Sequence, residues 1–333
     1  MSAPPRKVKK IQPKQSPVIC ASRRTDLPAN QESLDDFLAA LKVGSITFDH
    51  PHFAGNRENI PQLTRSLNPT DVAVISWWSK DYAKLINAWE ENRQVLGRYN
   101  HHFTFTINGE SASLLEPGVR TPLAGRLEQL SALVALCRSL GQNPNASIMV
   151  HVDPISVYIT RPDGVEHDTL DHIPQLCAAL QVCGLTRIHI SFTQFTWRTV
   201  RSRLNALSDK FELVDLSLDR QMGLLRTRVF PHTTSAGIQL QTCTAIDAAA
   251  YGTEKAGQLP PPPLITGACV GRADIIAITP QIEEKYAIPK HAKSTTAATR
   301  NCTCYPFTDV GTKHNPCTHG CRYCFMNPEK YAF

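Results

Sequence analysis

Short runs of apolar residues recur along most of the chain, separated by more polar segments. Continuous apolar runs of this length are typical of parallel strands that are covered on both faces. The runs predict strands over residues 16–22, 45–50, 71–79, 101–108, 147–154, 187–194 and 236–243.

Amphipathic segments lie between these runs and predict helices, because their apolar residues repeat at helical spacing. Glycine follows several of them, as it commonly does where a helix ends. The predicted helices cover residues 31–44, 81–97, 123–141, 170–184 and 209–225.

The alternation of strands and helices predicts an α/β fold with a parallel sheet. We expect a parallel β/α barrel, closed or partly open (TIM-like), with a C-terminal cysteine-rich appendage; a doubly wound sheet is the alternative. The expected units are a disordered basic tail over 1–16, the barrel core over 17–243, and a cysteine-rich iron–sulfur-binding segment over 244–333 that packs on the barrel. In both architectures the chemistry gathers at the carboxyl ends of the strands.

The composition, with 42% hydrophobic and 19% charged residues, is that of a globular protein. No apolar run approaches the roughly 18–20 residues that a membrane span needs, and the N-terminus lacks the apolar stretch of a secretory signal. We therefore expect a cytoplasmic protein without a membrane partner. The N-terminal tail carries much of the net charge of +6. It either binds an anionic polymer such as nucleic acid or serves only to solubilise the chain.

Eleven cysteines are many for a reducing compartment, where clustered thiols indicate metal binding or catalysis. Cys317, Cys321 and Cys324 have C-x3-C-x2-C spacing near the C-terminus, and Gly320 lets the backbone curl between them. Thiolates at this spacing select an iron–sulfur cluster or zinc. With only three protein ligands, the fourth corner of a metal centre stays open for another molecule.

The segment CTHGCRYC resembles the C-x3-C-x-aromatic-C motif of radical S-adenosylmethionine enzymes and is most similar to that of spore photoproduct lyases. The resemblance implies a [4Fe–4S] cluster on the three cysteines, with S-adenosylmethionine on the fourth iron and Tyr323 beside it. An electron donor would reduce the cluster to release a 5′-deoxyadenosyl radical. In those enzymes the motif follows the first barrel strand, whereas here it comes last. A C-terminal loop that reaches the barrel mouth would restore that geometry by another chain order.

The whole chain also resembles an uncharacterised bacterial family, a domain of unknown function. Its members begin with a strand plus SRRTD and end with this cysteine motif; here these are residues 22–26 and 317–324.

A second metal centre is predicted from four further cysteines. Cys243, Cys269, Cys302 and Cys304 provide the ligands for a second [4Fe–4S] cluster or for zinc. Buried apolar packing is the alternative for Cys243 and Cys269. A competing view of the whole protein is a non-enzymatic, metal-stabilised nucleic-acid-binding or regulatory protein, in which zinc or a fully ligated cluster is held with the help of His314 or His319.

Polar residues at the predicted strand ends are candidates for catalysis and cofactor binding. Arg23 and Arg24 follow the first strand and can present guanidinium groups to a carboxylate or phosphate. Asp26 can orient one of them, Lys80 follows the third predicted strand, and Asp153 lies near the end of the fifth beside His151.

The sequence contains no phosphate-binding P-loop, no dinucleotide-binding fingerprint and no nucleophile elbow. We expect an iron–sulfur enzyme that resembles radical S-adenosylmethionine enzymes. Its partners would be S-adenosylmethionine, an electron donor and a substrate for which nucleic acid is the first hypothesis.

Overall fold

The structure is a computed structural model. It describes residues 16–22, 25–49, 62–161, 163–193, 195, 200, 204, 210–242, 264–286, 304–311 and 317–324. The predicted basic tail lies outside the described residues, apart from residue 16.

The strands, in chain order, are β1 (Val18–Ala21), β2 (Ser45–Asp49), β3 (Gln62–Ser66), β4 (Val74–Ser79), β5 (Asn100–Thr106), β6 (Ile148–Ile155), β7 (Val157–Thr160), β8 (Glu166–Asp168), β9 (Arg187–Phe192), β10 (Phe211–Leu213), β11 (Gln239–Thr242), β12 (Leu264–Thr266) and β13 (Thr308–Asp309). Eight of them form one sheet in the order β12-β11-β9-β6-β5-β4-β1-β13, and every pairing within it is parallel.

The strand order can be compared with the two predicted architectures. Among the strands of this sheet, those that are consecutive along the chain from β1 to β12 are also neighbours in the sheet. The last strand of the chain, β13, pairs with the first, β1. A doubly wound sheet would instead reverse its order at a switch point. This is the succession of a β/α barrel, but within the described residues no pairing joins β12 to β13, and no closed sheet is observed.

The helices are α1 (Gln31–Val43), α2 (Ala83–Trp89), α3 (Arg93–Leu96), α4 (Leu123–Ser139), α5 (Pro144–Ser147), α6 (Ile173–Cys183), α7 (Leu218–Leu224), α8 (Phe230–Ser235), α9 (Arg272–Ile278) and α10 (Ile282–Lys285). A π-helical turn, Leu225–Val229, joins α7 to α8. Helix α1 shows why the boundaries fall where they do. The Asn30 side chain accepts a hydrogen bond from the Ser33 amide, and Gly44 ends the helix at a φ of 84°.

One face of the sheet forms the main hydrophobic core with the helices. Ile75, Phe103, Val150 and Ile188 are at most 3% exposed and belong to one cluster with apolar residues of α1, α4 and α6. Because side chains alternate along a strand, the residues directly before and after each of these positions lie on the opposite face of the sheet.

Across β4, β5, β6, β9 and β11 the opposite face carries a row of buried polar side chains, which we call the polar face. Ser76 of β4 pairs in register with His102 of β5, and His151 of β6 pairs with His189 of β9, which in turn pairs with Gln241 of β11. All five residues are at most 6% exposed. The rings of His151 and His189 stack with their centroids 4.7 Å apart. Polar groups buried so deeply need hydrogen-bonding partners, so apolar packing alone does not account for this face.

The described residues after position 243 cover part of this polar face and add two strands to the sheet. They supply β12 and β13 to the sheet. Helix α9 is tied to the amino ends of the strands, because Arg187 donates to Asp274 at 2.9 Å and Asn100 donates to Thr279 at 3.0 Å. Helix α9 therefore does not cover the carboxyl ends of the strands, where the candidate site described below lies.

Two of the predicted elements differ in the structure. The run over residues 45–50 forms a strand, β2, but β2 pairs antiparallel with β3 in a separate hairpin and is not part of the parallel sheet. The segment 209–225 is not one helix, because β10 precedes α7 and pairs antiparallel with β7. An amphipathic pattern does not distinguish an edge strand from a helix in such short segments.

No described helix is long and apolar enough to cross a membrane.

Candidate metal centre at the carboxyl edge of the sheet

Polar side chains meet where the strands β1, β4, β5 and β6 end, which we call the carboxyl edge. Asp26 follows β1, Lys80 follows β4, Asn108 follows β5, and Asp153 lies near the end of β6. The Lys80 amide donates to Asp26 Oδ2 at 3.3 Å, and the Asp153 amide donates to Asn108 Oδ1 at 3.2 Å. Parallel strands end on the same side of a sheet, so these contacts follow from the topology.

A buried ion pair between Lys80 and Glu116 lies at the centre of this edge. Lys80 Nζ donates to Glu116 Oε1 at 3.1 Å and to the Asp153 carbonyl at 3.1 Å, and the two side chains are only 14% and 3% exposed. Asn108 Nδ2 also donates to Glu116 Oε1. Burial alone would raise the pKa of Glu116, but the Lys80 charge and these hydrogen bonds lower it. Glu116 is therefore held as a carboxylate.

The cysteine loop, residues 317–324, is bonded to the segment that carries Glu116. The Gly118 amide donates to the His319 carbonyl and the Arg322 amide donates to the Leu115 carbonyl, both at 2.8 Å. Tyr323 donates its hydroxyl hydrogen to Glu116 Oε1. The late cysteine motif thus lies at the same edge as the strand ends.

A second connection joins the cysteine loop to the end of β1. His319 Nε2 lies 2.7 Å from Asp26 Oδ2, and both side chains are less than 10% exposed. Burial lowers the pKa of His319, but the Asp26 carboxylate outweighs it and raises that pKa above its ordinary value. Asp26 itself has a φ of 50°. Aspartate and asparagine tolerate this left-handed conformation better than most residues, and strained positions often mark functional sites.

Two of the three cysteines of the loop, Cys317 and Cys321, face an environment that opposes the free thiolate. Cys321 is buried, and Cys317 and Cys324 are half-buried. Burial raises the pKa of Cys321, and the Glu116 charge raises it further. Burial and the Asp26 charge do the same for Cys317. A cationic metal centre would reverse this balance, because it stabilises the thiolate form.

The spacing of the ligand atoms separates two kinds of metal centre. Among the described residues, the group whose ligand atoms all lie within 4.8 Å of one another is Asp26, Cys317 and His319. The three cysteines do not form such a group. Two thiolates on one zinc ion lie no more than about 4.6 Å apart, since each Zn–S bond is about 2.3 Å. A [4Fe–4S] cluster has a wider spacing, because each cysteine binds a different iron.

Asp153 sits between the edge and the polar face of the sheet. Ser191 donates to its Oδ1, and His151 Nδ1 lies 4.0 Å from its Oδ2. Burial alone would raise the pKa of Asp153, but the contacts with His151 and Ser191 lower it. The predicted His151–Asp153 pair is therefore present as a close contact.

The remaining sequence candidates are placed only in part. Cys269 Sγ lies 3.9 Å from His189 Nε2, and Cys304 packs against the cluster that contains Tyr305 and Phe307. Arg23, Arg24, Cys243 and Cys302 lie outside the described residues. The second metal centre therefore stays a prediction.

Sequence reasoning missed Glu116 and Asn108. Asn108 is the last residue of a predicted strand, so the rule that selected Lys80 and Asp153 applies to it as well. Glu116 lies in an irregular segment after β5 and carries no such signal.

The comparisons with known proteins identify a family. A model for a domain of unknown function, DUF1848, matches residues 18–326, which is most of the chain. The chain belongs to the DUF1848 family. No curated protein and no solved structure matches it. The family description names no activity, so the chemistry of this DUF1848 protein has to be argued from its site.

The close approach of Gly118 to the cysteine loop gives a direct test of the docked loop in this DUF1848 protein. A Cβ at residue 118 would lie 2.3 Å from the Thr318 carbonyl oxygen and 2.6 Å from His319 Cα, which are backbone atoms. Overpacking of this kind costs about 1–3 kcal/mol. We therefore expect Gly118→Ala to increase the maleimide labelling rate of Cys321, measured by mass spectrometry, by about 5- to 150-fold.

Gly223→Ala is the matched control for this substitution. A Cβ at residue 223, within α7, meets no atom within 4 Å, so the labelling rate should stay that of the wild type. Equal labelling of Cys321 in both variants would mean that the loop does not pack on Gly118.

Proposed function

We propose that this protein is an iron–sulfur enzyme of the radical S-adenosylmethionine type, with a [4Fe–4S] cluster held by Cys317, Cys321 and Cys324. The observation that carries the proposal is the docking of the cysteine loop on residues 115–118 at the carboxyl edge. There the motif meets Asp26 and Lys80, which follow strands far from it in the sequence.

The residues present fit such a cluster. The thiols of Cys317 and Cys321 are shielded from water and lie beside carboxylates, so a positively charged centre would stabilise their thiolate forms. Gly320, with a φ of 60°, allows the tight turn between the cysteines. A cluster bound here would supply one electron for the cleavage of S-adenosylmethionine.

The chain's own residues would orient the cofactor and keep water out. Lys80 lies 5.7 Å from the centre of the Tyr323 ring, and Glu116 fixes the hydroxyl of that tyrosine. The buried positive charge of Lys80 is suited to a carboxylate group that enters the edge. Arg23 and Arg24 are proposed as further groups for the cofactor, on their position after β1 alone.

We further propose that the sheet closes into a barrel by pairing of β12 with β13. The strands between them in the sheet follow one another in chain order, as the strands of a β/α barrel do. A cytoplasmic location, an electron donor as partner, and a nucleic-acid substrate that the basic N-terminal tail attracts complete the proposal. A metal-stabilised, non-enzymatic nucleic-acid-binding or regulatory protein is the second candidate. It is favoured by the group of Asp26, Cys317 and His319, whose ligand atoms are close enough for a single ion.

The test is anaerobic reconstitution of the full-length protein with iron and sulfide, followed by reduction and addition of S-adenosylmethionine. We expect close to four irons per three-cysteine site and formation of 5′-deoxyadenosine, measured by chromatography. Cys321→Ala should lose that cluster's iron and the cleavage together. A reducible cluster that forms no 5′-deoxyadenosine would refute the radical mechanism, and full iron retention in Cys321→Ala would refute the assigned ligands.

A further inference from the structure

Two buried polar atoms of residues grouped with Cys317 have no hydrogen-bond partner among the described residues. They are Asp26 Oδ1 and His319 Nδ1. The other polar atoms of the two side chains bond to each other at 2.7 Å, and Asp26 Oδ2 also accepts from the Lys80 amide. A buried polar atom without a partner destabilises the folded protein. Each side chain thus keeps one coordination position that the described protein atoms do not use.

The sulfur of Cys317 completes this group. One ligand atom from each of Asp26, Cys317 and His319 lies within 4.8 Å of the others. A carboxylate oxygen, an imidazole nitrogen and a thiolate together suit a borderline divalent cation such as Zn²⁺ or Fe²⁺. Magnesium and calcium, in contrast, take oxygen ligands.

The elements that carry these ligands are fixed independently of any metal. Asp26 is held by the turn after β1, where its amide donates to the Ser22 carbonyl at 3.0 Å. His319 is held by a different segment, because its carbonyl accepts a hydrogen bond from the Gly118 amide. Preorganised ligands on two anchored segments lower the cost of binding an ion.

We propose that Asp26, Cys317 and His319 form a mononuclear site for a borderline divalent metal, Fe²⁺ or Zn²⁺, in the protein that lacks its cluster. As the metal binds, the Cys317 thiol releases its proton to solvent and the sulfur becomes a ligand. Solvent completes the coordination at the remaining position. Because Cys317 is shared, the mononuclear site and the proposed cluster are alternatives. The site does not depend on the proposed enzymatic function.

Cobalt substitution tests the site by spectroscopy. The full-length protein is stripped of iron anaerobically and titrated with Co²⁺, which shows thiolate-to-cobalt charge transfer and visible d–d bands in a tetrahedral site. We expect one Co²⁺ per chain with these bands. Cys317→Ser, His319→Gln and Asp26→Asn should each weaken binding by about 10- to 100-fold or more, whereas Cys321→Ser and Cys324→Ser should bind Co²⁺ as the wild type does.

The same variants separate this proposal from the cluster. After iron and sulfide reconstitution, the cluster should be lost in Cys321→Ser and Cys324→Ser and should form in His319→Gln. Cobalt binding that needs His319 but not Cys321 or Cys324 therefore supports the mononuclear site even if the cluster proposal fails. Cobalt binding that depends equally on Cys317, Cys321 and Cys324, or that persists in both His319→Gln and Asp26→Asn, would overturn it.

A measurement on the wild-type chain needs no variant to fold. Cys317 and Cys324 are both half-buried, so their maleimide labelling can be compared within one sample. We expect Zn²⁺ to slow the labelling of Cys317 at least 10-fold and to leave that of Cys324 unchanged. Equal protection of the two cysteines, or protection of neither, would contradict the site.

Discussion

Replacing Lys80 by methionine is expected to destabilise the protein by about 3–5 kcal/mol, the usual cost of removing one partner from a buried ion pair. Methionine keeps most of the volume of lysine but removes its charge, which leaves the carboxylate of Glu116 buried at 3% exposure. The asparagine and tyrosine that donate to Glu116 cannot replace a full positive charge. The free energy of unfolding is measured by urea titration of the metal-free protein at neutral pH.

An exposed ion pair of the same chain provides the control. Arg161 Nη2 lies 2.8 Å from Glu212 Oε2, but the two side chains are 51% and 58% exposed. Such a pair contributes about 0–1 kcal/mol, so Arg161→Met should cost little. The double variant Lys80→Met/Glu116→Gln should recover part of the loss, because no uncompensated charge remains buried. If Lys80→Met costs no more than Arg161→Met, the pair is not buried as described.

The fold could be predicted from the sequence where a strand is a continuous apolar run. Strands β1, β4, β9 and β11 fall within predicted runs, and β5 and β6 each extend one residue beyond theirs. The strands β12 and β13 are only three and two residues long and were missed, because so few residues carry no periodic signal. Their place in the sheet depends on pairing with distant strands, which local pattern does not encode. The strand order likewise required the tertiary structure.

The site was predictable to the extent that it follows strand ends. Asp26 and Lys80 were selected by their positions after apolar runs and Asp153 by its position near the end of one, and the structure brings them to one edge. The contact of the cysteine loop with residues 115–118 joins segments about two hundred residues apart. The sequence of either segment does not predict its contact with the other, because both segments are irregular and the contact is made largely through backbone amides and carbonyls. Glu116 becomes recognisable only after that contact is known.

Histidines that are buried in their neutral form should make the protein sensitive to mild acid. Burial lowers the pKa of His101 to about 4 and that of His102 and His189 to about 3. The unfolded chain, with histidine pKa values of about 6.5, therefore binds more protons than the folded chain as pH falls below 6.5. Each histidine then costs about 1.4 kcal/mol per pH unit, or about 2 kcal/mol at pH 5, and the three together about 6 kcal/mol.

Other groups do not cancel this loss between pH 6.5 and 5. The contributions of Glu116 and Asp153, whose pKa values are lowered, are lost only below their ordinary pKa values. The raised pKa of His319 acts in the opposite sense: its contribution is fully present below about pH 6.5 and is lost as pH rises through the folded pKa. Urea unfolding at pH 7.5, 6 and 5 should therefore show a steep fall in stability on acidification.

His101→Gln tests the cause, because the hydrogen bonds of His101 require a neutral ring. Trp77 Nε1 donates to His101 Nδ1 at 3.0 Å, and His101 Nε2 lies 2.9 Å from the Leu96 carbonyl, to which it donates. A glutamine can accept and donate in the same way but does not titrate. The variant should lose about 2 kcal/mol less stability than the wild type between pH 7.5 and pH 5. An identical fall in both proteins would show that protonation of His101 does not limit stability, and the acid sensitivity would then have to arise on the polar face, at His102 and His189.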